Sequence, residues 1–365
     1  SGAQHGGEMA VVEAGGVGPL VRLLRGGGAA QAEAMHAVHN LARCVESRRA
    51  VAAAAEAVAA CVDVLQSATD EATKEHAAAA LACLSDTGSH QDIVAAGGID
   101  GLVALLQGGS AQGQLQAVRA MSSLAEDTGL HAVLAGAGLG HVVGLAKGEK
   151  GEAREFASVL LHKLATGGDE GAQAAVASSE AAVGLLVSQL GGSLAEQQAA
   201  AGSLRHVARF AEARQAMVAC GGVAALVATA QVKGLEGGKV NGRRDACLVL
   251  AALSCAPHSE AVAAAGGSEV LIEAVRRDGG CAAGDRGGVA QAAAAALEEL
   301  VVCEAGKRAV LAGGVGPCVQ LLQSSQEAVQ RHALTILEHV AAGADGQAAV
   351  GEAGGVQSLV RLACS

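Results

Sequence analysis

The chain has 365 residues, of which 52 are glycine, two are phenylalanine and none is tryptophan or tyrosine. A single large core built on aromatic side chains is therefore excluded, and leucine and valine must supply most of the buried apolar area. The formal net charge of -11 argues against nucleic-acid binding, because contact with phosphates requires a basic stripe.

A small-residue break followed by a short apolar run recurs along the whole chain. The first example is AGGVGPLVRLL from Ala14, and the last is EAGGVQSLVRLA from Glu352. Such self-similarity predicts stacked helical repeats, because one repeat cannot bury its apolar face alone. We therefore expect a single elongated domain over residues 1–365, as part of a longer chain. The residue after each break recurs every 40 to 47 residues, at Val17, Val58, Ile99, Leu139, Val183, Val223, Ser268, Val315 and Val356.

Two local patterns could indicate a cofactor or a metal. The run 136–140 (GAGLG) imitates part of a dinucleotide-binding turn, but it falls between the predicted first and second helices of repeat four, without the required strand. Two histidine pairs lie on single predicted helices: His36 and His39 are three residues apart, and His332 and His339 are seven apart. No acidic residue or cysteine stands at the spacing needed to complete a tetrahedral set of metal ligands with either pair. We therefore expect no cofactor, no metal and no enzymatic activity.

Repeats six and seven carry insertions between their second and third helices. The first insertion, at 232–244, is basic, and the second, at 276–288, is mixed in charge. Insertions in repeat proteins often lie on a binding face, but glycine-rich loops also tolerate changes of length at little cost. A binding loop therefore remains an alternative site, formed by Lys233, Lys239, Arg243 and Arg244.

Repeat eight illustrates the predicted repeat. Residues 304–312 form a short first helix, Gly313 and Gly314 break it, and Pro317 lies in the first turn of a second helix. A longer third helix covers 325–341, with apolar residues at helical spacing along one face. The leucines at one third-helix position are expected to be buried, namely Leu41, Leu84, Leu124, Leu164, Leu253 and Leu300.

Three helices in about 41 residues with this Gly-Gly joint closely resemble the armadillo repeat. The resemblance covers the whole chain, although repeats two (Glu56-Ala57) and five (Ala181-Ala182) lack the glycines. It implies an all-α fold: a right-handed α-solenoid of eight full three-helix repeats and a partial ninth. In such proteins the third helices line a concave groove that binds an extended or helical segment of a partner protein.

The groove positions can be compared with those of the nuclear-import adaptors in this family. Those proteins use a Trp, and an Asn four residues later, on successive third helices; here only Asn40 matches, so that mechanism is disfavoured. The aligned positions instead predict a mixed partner-binding groove, formed by His36, Asn40, Arg119, Ser123, Lys163, His206, Glu299 and His339.

The favoured function is a non-catalytic protein-interaction scaffold. The alternatives are a structural component of a large assembly such as a cilium, and a ligand-sensing regulatory armadillo domain, which would need a compact basic pocket. The ten cysteines are scattered and form no Cys-x-x-Cys pair, which is typical of free thiols in a reducing compartment such as the cytoplasm or nucleus. If the chain is instead part of a ciliary assembly, its location would be the cilium. We find no signal peptide and expect no membrane-spanning helix.

Overall fold

The computed structural model describes residues 5–54, 56–232, 237–255, 257–278 and 285–364. All regular elements within these ranges are helical, which confirms the all-α prediction. The chain divides into two compact units, Ser1–Val176 (unit 1) and Ala177–Ser365 (unit 2), and each is described by itself.

The helices of unit 1 are short, and the longest have 14 to 16 residues. A 3₁₀ turn at Thr128–Leu130 precedes the tenth helix. In chain order they are α1 (His5–Glu13), α2 (Val17–Leu24), α3 (Gly28–Arg43), α4 (Val45–Ala53), α5 (Ala57–Ser67), α6 (Glu71–Ser85), α7 (His90–Ala95), α8 (Gly98–Gly108), α9 (Ala111–Leu124), α10 (His131–Ala146) and α11 (Glu152–Thr166).

The unit boundary lies within the next helix, α12 (Glu170–Ser178). A π turn at Val310–Gly314 joins the twenty-first and twenty-second helices. The remaining helices are α13 (Glu180–Gln189), α14 (Leu194–Val207), α15 (Ala211–Ala219), α16 (Gly222–Gln231), α17 (Gly237–Ser254), α18 (Ser259–Ala264), α19 (Gly267–Asp278), α20 (Asp285–Leu300), α21 (Glu304–Ala309), α22 (Val315–Leu321), α23 (Glu327–Ala341), α24 (Ala344–Glu352) and α25 (Gly355–Cys364).

The predicted third helices pack against one another in sequence order. In unit 1, α3 contacts α6, α6 contacts α9 and α9 contacts α11; in unit 2, α14 contacts α17, α17 contacts α20 and α20 contacts α23. The leucine position that we expected to be buried is buried in all six helices, with relative exposures of 0% to 3%. The predicted register of the third helices is therefore confirmed at these positions.

The two glycines of a joint have separate roles. The first adopts a positive φ of 73° to 80° at Gly15, Gly97, Gly221, Gly266 and Gly354, a backbone region that glycine enters without steric cost. The second glycine allows close packing: a Cβ at Gly222 would lie 2.7 Å from the carbonyl oxygen of Met217. In repeat two Glu56 adopts the same left-handed conformation, with φ of 65°.

Two of the glycine-containing joints differ from this pattern. In repeat four, α10 runs without a break through 136–140, because Leu134, Gly138 and Val142 follow one another at four-residue spacing on a single buried face. In repeat eight, the break is a π turn, and Gly314 keeps a negative φ of -98°. The predicted break in repeat four is therefore wrong, and that in repeat eight is a change of helical pitch.

Among the residues that the structure describes, one helical segment is long and apolar enough to cross a membrane, judged by length and composition. Thr128–Ala146 spans 19 residues with a mean hydropathy of 1.5, and half of it is buried within the protein. Two bent helix pairs, Val45–Ala53 with Ala57–Ser67 and Ala211–Ala219 with Gly222–Gln231, pass the same test if each counts as one span. The expectation that no segment would qualify is wrong. The apolar side of α10 packs against α8 and α11, which accounts for its composition.

Side chains close the carbonyl ends of many helices at fixed sequence offsets. Such carbonyls have no partner within their own helix and need one from elsewhere. The ends of third helices accept hydrogen bonds from residues six positions later, namely Arg48, His131, Arg214 and Gln347. The ends of second helices accept them from third-helix glutamines seven or eight positions later, namely Gln31, Gln114, Gln197 and Gln330.

Candidate functional site

The candidate site of unit 1 is the solvent-facing side of α3, α6, α9 and α11, called here the unit 1 face. It carries the five groove residues predicted in this unit. His36 and Arg119 are exposed, whereas Asn40, Ser123 and Lys163 are half-buried. These residues lie on successive third helices that pack side by side.

Three histidines meet on this face, and one of them was missed from the sequence. The ring of His76 on α6 stacks on that of His36, with centroids 4.7 Å apart and planes inclined by 17°. Nδ1 of His76 also lies 3.1 Å from Nδ1 of His39. Within the described residues, no group of three or more His, Cys, Asp or Glu side chains has the geometry to hold a metal ion. The sequence feature that could have predicted this contact is the position of His76, about one repeat period after His36.

The environment of the histidine cluster disfavours positive charge on the imidazoles of His39 and His76. Burial lowers the pKa of His39 from 6.5 to about 4, and His76, Arg43, His36 and Arg119 lower it further in that order. Burial and His36 also lower the pKa of His76, against smaller opposing effects from Glu75 and Asp70. Burial and positive neighbours therefore both favour the neutral form of His39 and His76.

Two arginines of the unit 1 face lack a carboxylate partner. Arg43 and Arg119 are exposed, and no ion pair joins either one to a carboxylate of the described residues. Both lie near enough to act electrostatically on His39 and on Cys83. The guanidinium of Arg119 also lies 6.0 Å from the ring centroid of Phe156, at the outer limit of a cation–π contact.

The ammonium group of Lys163 forms hydrogen bonds within the protein. Its Nζ donates to the carbonyl oxygen of Ser122 at 2.8 Å and to Oε1 of Glu126 at 2.5 Å. This hydrogen bond and the lysine charge lower the pKa of Glu126. Lys163 therefore joins α11 to α9, and its ammonium group is already satisfied.

The predicted groove residues of unit 2 occupy less clustered surroundings. His206 is half-buried and lies 3.0 Å from Nη2 of Arg205, and burial followed by this arginine lowers its pKa. Glu299 is exposed and accepts a hydrogen bond from Cys255 at 3.5 Å. His339 is exposed, and its Nδ1 lies 2.9 Å from the carbonyl oxygen of Thr335.

The alternative loop site is not an exposed basic loop where the structure describes it. Arg243 lies within α17, is 1% exposed, and pairs with the equally buried Asp278 at 2.6 Å. Arg244 is half-buried and lies 3.7 Å from Asp245, which also pairs with Arg205 at 3.1 Å. Lys233 lies outside the described residues, as does the side chain of Lys239.

The burial of Arg243 contradicts its predicted role in binding. The alignment of the repeats explains why this position is buried. Five residues before the groove position, repeats one, three, five and eight place the glutamines that close second helices, and repeat six places Arg243 there. The inserted residues of repeat six made this equivalence of Arg243 with the glutamines hard to recognise from the sequence. A buried arginine needs a buried counter-ion, which Asp278 at the end of α19 provides.

These features define an all-helical protein of repeated short helices with a polar, partly cationic face. No family model and no curated protein matches the chain. Among solved structures, it is similar to an engineered protein determined by a structural genomics consortium, with 30% sequence identity and a TM-score of 0.72. The match covers 98% of this chain and 86% of the other. The chain therefore belongs to the same structural family as that engineered protein.

Proposed function

We propose that the chain is an armadillo-repeat scaffold that binds a segment of a partner protein along its third helices. The observation that carries this proposal is the unit 1 face, where four successive third helices pack side by side and display polar side chains outward. A right-handed solenoid would make such faces concave and continuous. The fold similarity to the engineered protein supports a repeat architecture.

The proposed scaffold is non-catalytic, cofactor-free and cytoplasmic. The cysteines of the described residues are unpaired, and burial raises the pKa of the Cys61, Cys247 and Cys318 thiols to about 12. Buried, protonated thiols are typical of structural cysteines in a reducing compartment. The apolar side of α10 packs on neighbouring helices, which supports a chain that does not insert into a membrane.

A second candidate function is a structural part of a larger assembly. The ligand-sensing alternative loses its main support, because the basic residue Arg243 of repeat six is buried in an ion pair.

Selection of peptides on the full chain tests the scaffold proposal. A random peptide library is selected against the protein, and the binders are measured against two matched variants. Val159 on α11 is 45% exposed on the unit 1 face, and Val133 on α10 is 48% exposed away from the third helices. We expect Val159→Glu to weaken the selected peptides, because a carboxylate opposes both apolar and acidic ligands, and Val133→Glu to leave them unchanged. The reverse pattern, or no selected peptide, contradicts the proposal.

A further inference from the structure

We propose that His36, His39, Arg43, His76 and Arg119 form a proton-linked binding site for an acidic peptide segment. This inference rests on the scaffold function proposed above and specifies the chemistry of the partner. The site lies on α3, α6 and α9, and therefore spans three successive repeats of unit 1. Its ligand would present carboxylates or phosphates, which share the negative charge that arginine binds.

The first argument is the imbalance of charge on this part of the surface. The nearby carboxylates are already engaged: Asp86 pairs with Arg48 at 2.8 Å, and Glu75 accepts the hydroxyl of Ser110 at 2.5 Å. Arg43 and Arg119 are exposed and have no such partner within the described residues. Two uncompensated arginines on a chain of net charge -11 mark this face as a place where an acidic segment is favoured.

The second argument is the arrangement of the three imidazoles. The Nδ1 atoms of His39 and His76 face each other at 3.1 Å, and the ring of His36 lies stacked on that of His76. Burial, followed by repulsion from His76, Arg43, His36 and Arg119, disfavours protonation of His39. Burial and His36 disfavour it at His76, where Glu75 and Asp70 act in the opposite direction. A bound carboxylate or phosphate would reverse this balance, because opposite charge favours the protonated imidazole. Binding would then take up protons and strengthen as the pH falls.

The third argument distinguishes a peptide from a nucleic acid. The overall negative charge of the chain opposes a long polyanion, which needs an extended basic surface. Beside Arg119, the face continues with Phe156 and the exposed Val159. Apolar side chains next to the Arg119 cation suit a short acidic segment with an occasional apolar side chain.

Fluorescence anisotropy with labelled octaglutamate tests this site on the full chain. The test variant is Arg43→Gln with Arg119→Gln. The control is Arg22→Gln with Arg49→Gln, which removes two exposed arginines of the same unit from α2 and α4. We expect the test variant to bind about tenfold more weakly and the control to bind as the wild type does. Equal weakening in both variants overturns the site, because it would reflect overall charge.

The proton linkage is tested by the same titration at about pH 7.5 and about pH 5.5. Wild-type affinity should rise by about tenfold at the lower pH, whereas His39→Gln with His76→Gln should flatten the dependence. The single exposed variant His36→Gln provides a second test if the double variant unfolds. An affinity that does not change with pH in the wild type overturns the linkage.

Further probes identify the source of the negative charge and separate the two proposals. A phosphoserine peptide of equal charge supports a phosphate ligand if it binds more tightly than octaglutamate, and a carboxylate ligand if it does not. Preference for single-stranded DNA over both peptides overturns the inference. If octaglutamate fails to bind but library-selected peptides still lose affinity in Val159→Glu, the acidic site is wrong and the scaffold proposal stands. If both fail, both are wrong.

Discussion

The joint between α15 and α16 allows a sharp test of how glycine pairs build each repeat. Gly221 adopts φ of +73°, and a Cβ there would meet no atom within 4 Å, so Gly221→Ala introduces backbone strain alone. An L-residue in this region costs about 1–2 kcal/mol. Gly222 has the opposite problem, since its Cβ would lie 2.7 Å from the Met217 carbonyl oxygen and 3.0 Å from Val187. Overpacking of this kind costs about 1–3 kcal/mol.

Asparagine substitutions distinguish backbone strain at Gly221 from overpacking at Gly222. Asparagine tolerates the left-handed region, so Gly221→Asn should recover much of the stability that Gly221→Ala loses. Gly222→Asn should be at least as destabilising as Gly222→Ala, because it adds more atoms to a closed space. Urea denaturation followed by circular dichroism measures the free energy of unfolding. A neutral Gly222→Ala, or a Gly221→Asn as unstable as Gly221→Ala, would refute this division of roles.

Three further predictions concern stability. Leu124→Ala and Leu164→Ala should each lower the free energy of unfolding by about 2–5 kcal/mol, because both leucines are at most 1% exposed; a loss below about 0.5 kcal/mol would contradict the register. Because burial lowers the pKa of His39 below its unfolded value, its stabilising contribution is complete above about pH 6.5 and is lost as the pH falls toward 4. Thermal melts should therefore show acid destabilisation that is smaller in His39→Gln. Arg243→Met should be tolerated better with Asp278→Leu than alone, because the single change leaves a buried carboxylate unpaired; equal melting temperatures would contradict this.

The sequence pattern predicted the helical repeat well because burial imposes a strict register. Leu84 and Leu124 recur 40 residues apart and lie at matching positions on neighbouring helices, since each repeat buries the same face against the next. Eight of the nine joint anchors are buried as well, and the exception is Val356 on α25. Predictions of helix register and burial depend on the pattern of apolar and small residues, which can be read directly from the sequence.

The candidate site was harder to predict because it depends on which side chains meet across repeats. His76 entered no groove prediction, since it lies three residues before the aligned position, yet it contacts His36 and His39. Lys163 occupies a groove position but serves as a link to Glu126. One-to-one alignment of helices misses both, because it compares equivalent positions and does not show which side chains of different positions meet across two helices.

Photo-crosslinking tests the central claim that partners bind to the third helices most directly. A benzophenone amino acid is placed at Val159 on the unit 1 face or at Val133 on α10, which are similarly exposed valines of the same unit. A library-selected peptide bound to the full chain should crosslink from position 159 and leave position 133 unlabelled. Crosslinking from position 133 alone, or equally from both positions, would contradict the claim.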